Sequence, residues 1–150
     1  MKTPRAFAAA LALVFAGATP VVGQQPTAAG KVKVASGSAF IVRANNEIPA
    51  KVGEVLFESD SLRTGADGRI GVTMKDDTRV SLGPASEVRL ERFVYAPAEG
   101  RLGFVLRVAR GVAAYVSGQI AKLAPDAVRL ETPAAIIGVR GTSLAVKVGP

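Results

Sequence analysis

The chain has 150 residues, 49% hydrophobic and 21% charged, a composition that supports one packed core and excludes a disordered, highly charged tail. Cysteine, histidine and tryptophan are all absent, which removes disulfide staples, thiolate nucleophiles, Cys/His zinc clusters and every His-based triad. Nineteen basic against 12 acidic residues give a formal charge of +7; this favours anionic partners, but with aromatics at 5% and cations placed singly it does not describe a nucleic-acid surface.

Lys2 and Arg5 precede an uncharged, mostly apolar run over residues 6–18, followed by Thr19, Pro20 and small residues up to Gly23. This is the layout of a secretory signal peptide, predicted as an N-terminal signal helix over residues 1–23 with cleavage after Gly23, or alternatively after Ala18. The run is short for a membrane span, which needs about 20 apolar residues, so no stable span is expected in the mature chain. With no cysteine there is no lipoprotein attachment. Removing the leader leaves 17 basic and 12 acidic residues, a formal +5.

Residues 24–30 carry no period and read as a flexible N-terminus, and a domain is predicted over residues 31–150. Lys31-Val-Lys-Val34 alternates, Ser36-Gly-Ser38 makes a turn, and residues 39–43 form a second strand before a polar turn over residues 44–47. Residues 52–57 supply a short strand, and Leu62 then stands alone among polar residues as a loop anchor. Ile70, Val72 and Met74 share one face, as do Val80 and Leu82, and Lys75-Asp-Asp77 closes a hairpin between them. A positive φ at Asp77 would carry a small strain cost, unless the turn is of another type.

Val88 and Leu90 alternate with charges, and Leu102, Phe104, Leu106 and Val108 share a face of a longer strand. Gly111 interrupts that strand before residues 112–116, where Tyr115 is read as core with its hydroxyl at the surface. Residues 117–125, with Ile120, Ala121 and Leu123, could form one marginal helical turn but have no cap worth the name, and read as loop or strand edge. Val128-Arg-Leu-Glu131 repeats Val88-Arg-Leu-Glu91, an echo that stacked rungs of a coil would explain. At the end Leu144, Val146 and Val148 face inward along a strand whose far edge is expected to lie open.

The stretch Thr132-Pro-Ala-Ala-Ile-Ile-Gly-Val-Arg-Gly-Thr142 resembles the signature of the FecR domain family. A second similar site runs through Asp60-Ser-Leu-Arg-Thr-Gly65, Asp67-Gly-Arg69 and Met74-Lys-Asp-Asp-Thr-Arg-Val-Ser-Leu-Gly-Pro84, and the likeness extends over roughly residues 30–148. Motif residues under this resemblance are Thr132, Pro133, Gly138, Arg140, Gly141 and Thr142, with Asp60, Thr64 and Gly65. Family members commonly show Asp-Gly where this chain has Asp76-Asp77. The apolar run over residues 134–137 suits a strand buried on two faces. Flanked by Gly138 and Gly141, Arg140 is expected to be a partly buried fastener, paired with Asp60 or Glu131; the rival reading turns it toward a ligand.

The fold expected is all-β, short strands in a compact β-helical, solenoid-like wrap, with a β-sandwich as the alternative. The resemblance implies a non-catalytic binding or scaffold module of the periplasm, contacting an envelope protein or a glycan, without cofactor or metal. Signalling members of the family sense an outer-membrane receptor and hold a cytoplasmic sigma-factor regulator; this chain shows neither the inner-membrane span nor the cytoplasmic domain for that relay. Self-assembly into a homo-oligomer through the Leu144, Val146, Val148 edge is a second reading. A third is a cell-wall glycan enzyme using Asp76 and Asp77 or Glu58 and Asp60, although adjacent turn carboxylates rarely frame a cleft. Calcium at Asp76 and Asp77 is disfavoured by Lys75 and Arg79 beside them.

Overall fold

Alternating apolar and polar residues become strands through most of the computed structural model, which describes residues 17–21, 23 and 26–149. The predicted signal helix, residues 1–16 in particular, lies outside the described residues; the two cleavage positions, Ala18 and Gly23, sit in exposed, irregular chain. Among the described residues no helix is long and apolar enough to cross a membrane.

The strands are β1 (Ala28–Ser36), β2 (Ala39–Arg43), β3 (Asn46–Pro49), β4 (Val55–Phe57), β5 (Ser61–Thr64), β6 (Arg69–Met74), β7 (Arg79–Leu82), β8 (Glu87–Ala96) and β9 (Arg101–Val116). A short helix, α1 (Gln119–Leu123), follows, then β10 (Val128–Glu131), β11 (Ile136–Gly138) and β12 (Ser143–Val148). They form one curled, half-barrel sheet built around β9. Residues 101–110 of β9 pair with β8, and residues 104–107 also with β10, in a layer completed by β5, β2, β3 and β11. Residues 111–116 of β9 pair with β12, and residues 113–116 also with β7, in a second layer continued by β6, β1 and β4. The inner faces of both layers meet in one core, where Val72, Met74 and Val80 of the second layer and Leu62, Val88 and Leu106 of the first line a residual void of ≈ 10 Å³.

The all-β expectation holds, but the β-helical wrap does not form. A coil of rungs pairs its strands in parallel, whereas here neighbours run antiparallel with β9–β10 the one parallel pair among the described residues. The repeated tetrapeptide has a different cause from stacking. Val88 and Leu90 stand opposite Val108 and Leu106 on one edge of β9, while Val128 and Leu130 stand opposite Phe104 and Leu106 on the other. Its two glutamates, Glu91 and Glu131, both reach Arg107, at 3.6 and 3.1 Å.

Alternation placed the hairpin correctly: Ile70, Val72, Met74, Val80 and Leu82 are all buried. Asp77 does take a positive φ, 67°, in a turn closed by its amide donating to the Met74 carbonyl. Four local expectations fail. β1 begins at Ala28, inside the stretch expected to be flexible, because Ala29 is buried and Gly30 lies against Thr73 and Met74. Leu62 is no lone anchor; it is the buried residue of β5, a strand between β2 and β8. The stretch expected to be loop or strand edge contains α1, whose cap comes from far along the chain: the Ile120 amide donates to Asp76 Oδ2 at 3.1 Å and the Gln119 amide to the Asp76 carbonyl at 2.7 Å. The Tyr115 ring is core, but its hydroxyl lies inside with it, beside Ser117 and Thr78.

Candidate interaction surface

Arg43 fills the role expected of Arg140. It ends β2 with its guanidinium 4.6 Å above the Phe57 ring, donating from Nε to Asp60 Oδ1 at 2.9 Å and from Nη2 to Asp60 Oδ2 at 2.7 Å. Nη2 also donates to the Val55 carbonyl, and the Phe57 amide gives the buried Asp60 a third bond at 2.9 Å. The bond to Asp60 holds the Arg43 guanidinium charged, its pKa raised against the opposing effect of burial. Asp60 therefore ties the β2 end to the β4–β5 turn.

Arg140 is exposed over 86% of its side chain, and its nearest acid is the equally exposed Asp126 at 3.8 Å. Neither expected partner reaches it, since Asp60 is held by Arg43 and Glu131 by Arg107. The surrounding motif is likewise a surface feature. Thr132 accepts the Ala134 and Ala135 amides on its hydroxyl, making the turn that Pro133 occupies between β10 and β11. Residues 133–136 are exposed, against the expectation of burial on two faces, because β11 has β10 on one side and no second neighbour among the described residues. Val139 is the buried anchor of the segment. Gly141, at φ 141°, accepts the Ser117 hydroxyl on its carbonyl, and the Thr142 carbonyl accepts the Ser117 amide. Around Gly138 a Cβ would meet nothing.

Thr64 and Gly65 belong to a polar knot where the two layers join. The Ser86 amide donates to Thr64 Oγ1 at 2.9 Å, and the Val112 amide donates to Ser86 Oγ at 2.8 Å. Gly111, at φ 81°, turns β9 from one layer into the other with a hypothetical Cβ only 2.2 Å from Ser86 Oγ. Gly65 packs on Ser38.

Three of the four carboxylates proposed for acid/base work, Asp60, Asp76 and Glu58, are taken up in bonds within the fold, while Asp77 is exposed in the hairpin turn. Asp76 is fully buried and accepts from the Thr78 amide, the Thr78 hydroxyl and the Ile120 amide. Glu58 accepts the Phe93 amide. No cluster of three or more Asp and Glu side chains able to hold a metal occurs among the described residues.

β12 presents a free edge. Its six residues pair in unbroken register with β9, with Leu144, Val146 and Val148 turned toward the core, and nothing among the described residues pairs with its other side. The other sheet ends are blunted: β3 carries Pro49, while β4 and β11 are three residues long.

The model of the FecR protein family matches residues 60–150. The chain belongs to the FecR family. The match begins at Asp60, later than the expected start near residue 30, and so leaves β1 to β4 outside it although they pair within the same sheet. No curated protein matches the chain, and no solved structure does. Within the matched span, residues 132–142 form an exposed turn and edge, while the stretch from Asp60 to Pro84 carries the buried bonds of Asp60, Thr64 and Asp76.

Proposed function

We propose that this FecR-family chain is a non-catalytic binding module of the bacterial periplasm that takes an extended segment of an envelope protein along β12. The observation that carries the reading is the edge of β12: six residues long, free of proline and bulges, and unpaired on one side among the described residues. Such an edge offers a row of backbone donors and acceptors to another strand. It suits a protein partner better than a glycan, which has no matching ladder of amides. Family membership supports a signalling or scaffold role without chemistry, and the residue 1–23 leader supports export.

The test compares the wild type with a Ser143→Lys, Ala145→Lys variant, whose new side chains lie on the outer face and leave the inward residues intact. An envelope extract passed over both proteins should yield proteins retained by the wild type and released by the variant, with both melting alike. Equal retention by the two would remove β12 from the reading. Light scattering on the chain alone separates self-assembly: a dimer abolished by the same lysines would replace the foreign partner with a second copy.

A further inference from the structure

The strands of the two layers differ in where their carboxylates lie. Strands of the first layer carry Glu47, Glu87, Glu91 and Glu131 among their arginines, and these form ion pairs across the sheet: Arg63 with Glu47 and Glu87, Arg110 with Glu87, Arg107 with Glu91 and Glu131. Strands of the second layer, β1, β4, β6, β7, residues 111–116 of β9 and β12, contain no carboxylate at all. They do contain Lys31, Lys33, Arg69, Arg79 and Lys147, all exposed and none in an ion pair among the described residues.

Register fixes how these cations are laid out. On the outer face, Val34, Gly71, Ser81, Ala114 and Ala145 stand side by side in one row across five strands, a span of about 19 Å. Lys31, Thr73 and Arg79 lie in the row on one side of it; Arg69, Val112 and Lys147 lie on the other. The result is a shallow floor of small residues between flanking cations, with Val34 and Val112 exposed by 56% and 39%.

From this face we infer that the second layer docks on an anionic lipid bilayer surface. The charge is complementary, and none of the five cations is held by an ion pair among the described residues. Three of the five cations are lysines, mobile point charges suited to a diffuse array of headgroups, whereas the first layer uses arginine forks for its fixed carboxylates. Exposed valines among flexible basic stems are the combination that a headgroup–acyl boundary accepts, and no aromatic or enclosed pocket is present on the face to read a discrete ligand. Like charge also opposes stacking two copies through it.

Co-sedimentation with vesicles tests this, using phosphatidylcholine alone and phosphatidylcholine mixed with phosphatidylglycerol. The wild type should bind only the mixed vesicles, and less as salt rises. Lys31→Gln, Lys33→Gln, Arg69→Gln and Arg79→Gln together should weaken binding at least hundredfold, at roughly fivefold per charge. Arg89→Gln, Arg101→Gln, Arg110→Gln and Arg129→Gln together remove the same charge from the first layer and should weaken it no more than about tenfold, melting curves confirming that both variants are folded. Equal losses would mean that net charge alone matters and would overturn the assignment. So would binding to soluble polyglutamate with none to mixed vesicles, which would give the face to an acidic protein. The β12 lysine variant adds two cations to this same face and should bind mixed vesicles at least as tightly as wild type while releasing its envelope proteins, so failure of this inference and failure of the edge reading are told apart.

Discussion

Asp60 is held by three donors while only 2% of its side chain is exposed, so its ionic partner cannot be removed without leaving a carboxylate inside the fold. Arg43, at 35% exposure, sits at the rim; its loss should cost about 2–3 kcal/mol, below the roughly 3–5 kcal/mol of a fully buried pair. Urea unfolding should therefore show Arg43→Met clearly destabilised and Arg140→Ala within about 0.5 kcal/mol of wild type. The reverse order would restore the fastener at Arg140. The sequence pointed to the wrong arginine for a definable reason. Glycines around Arg140 look like a demand for close approach, but Gly141 serves a backbone φ of 141° and a side chain at Gly138 would meet open space. Arg43 closes an ordinary strand before a hairpin turn, and its partner lies 17 residues away, where no local pattern reports it.

Among the elements, β9 was legible and α1 was not. Leu102, Phe104, Leu106 and Val108 alternate visibly, and Gly111 interrupts them where the strand does change layers. The helix depends on Asp76, whose carboxylate stands in for the missing local cap from 44 residues earlier. β5 was hidden because four residues between polar turns carry too little period to mark a strand. Gly111 gives the element-scale prediction. An added methyl would meet Ser86 Oγ at 2.2 Å and Ser86 Cα at 2.5 Å at a φ of 81°. Backbone strain of about 1–2 kcal/mol and overpacking of about 1–3 kcal/mol should make Gly111→Ala strongly destabilising in guanidinium titration. Gly138→Ala, with open space around it, should change stability by less than about 1 kcal/mol. Similar midpoints for the two would mean that the join between layers is looser than its geometry.

For the whole molecule, the all-β class and the inward faces could be read from alternation, whereas the arrangement of strands could not. Period two is the same in a wrap, a sandwich and a half-barrel, and only long-range pairing separates them. The Val-Arg-Leu-Glu echo suggested rungs because sequence reports repetition and not direction. Tyr115, at the centre of the core, links the fold to pH. Burial raises its pKa above the ordinary 10.0, partly opposed by bonds from Ser117 and Thr78. The folded chain thus keeps that proton where the unfolded chain gives it up, so stability present below about pH 10 falls as pH rises through the folded value. Melting temperatures followed from about pH 8 to about pH 11 should drop less steeply in Tyr115→Phe than in wild type; parallel curves would show that the hydroxyl reaches water.

One strand serving both layers also sets when the protein can become itself. β9 collects β7 and β8 from the chain already made and β10 and β12 from the chain still to come. A growing polypeptide therefore carries β9 with one side unmatched until Val148 arrives, and a fragment ending before β10 should be cut within β9 by protease more readily than the full chain.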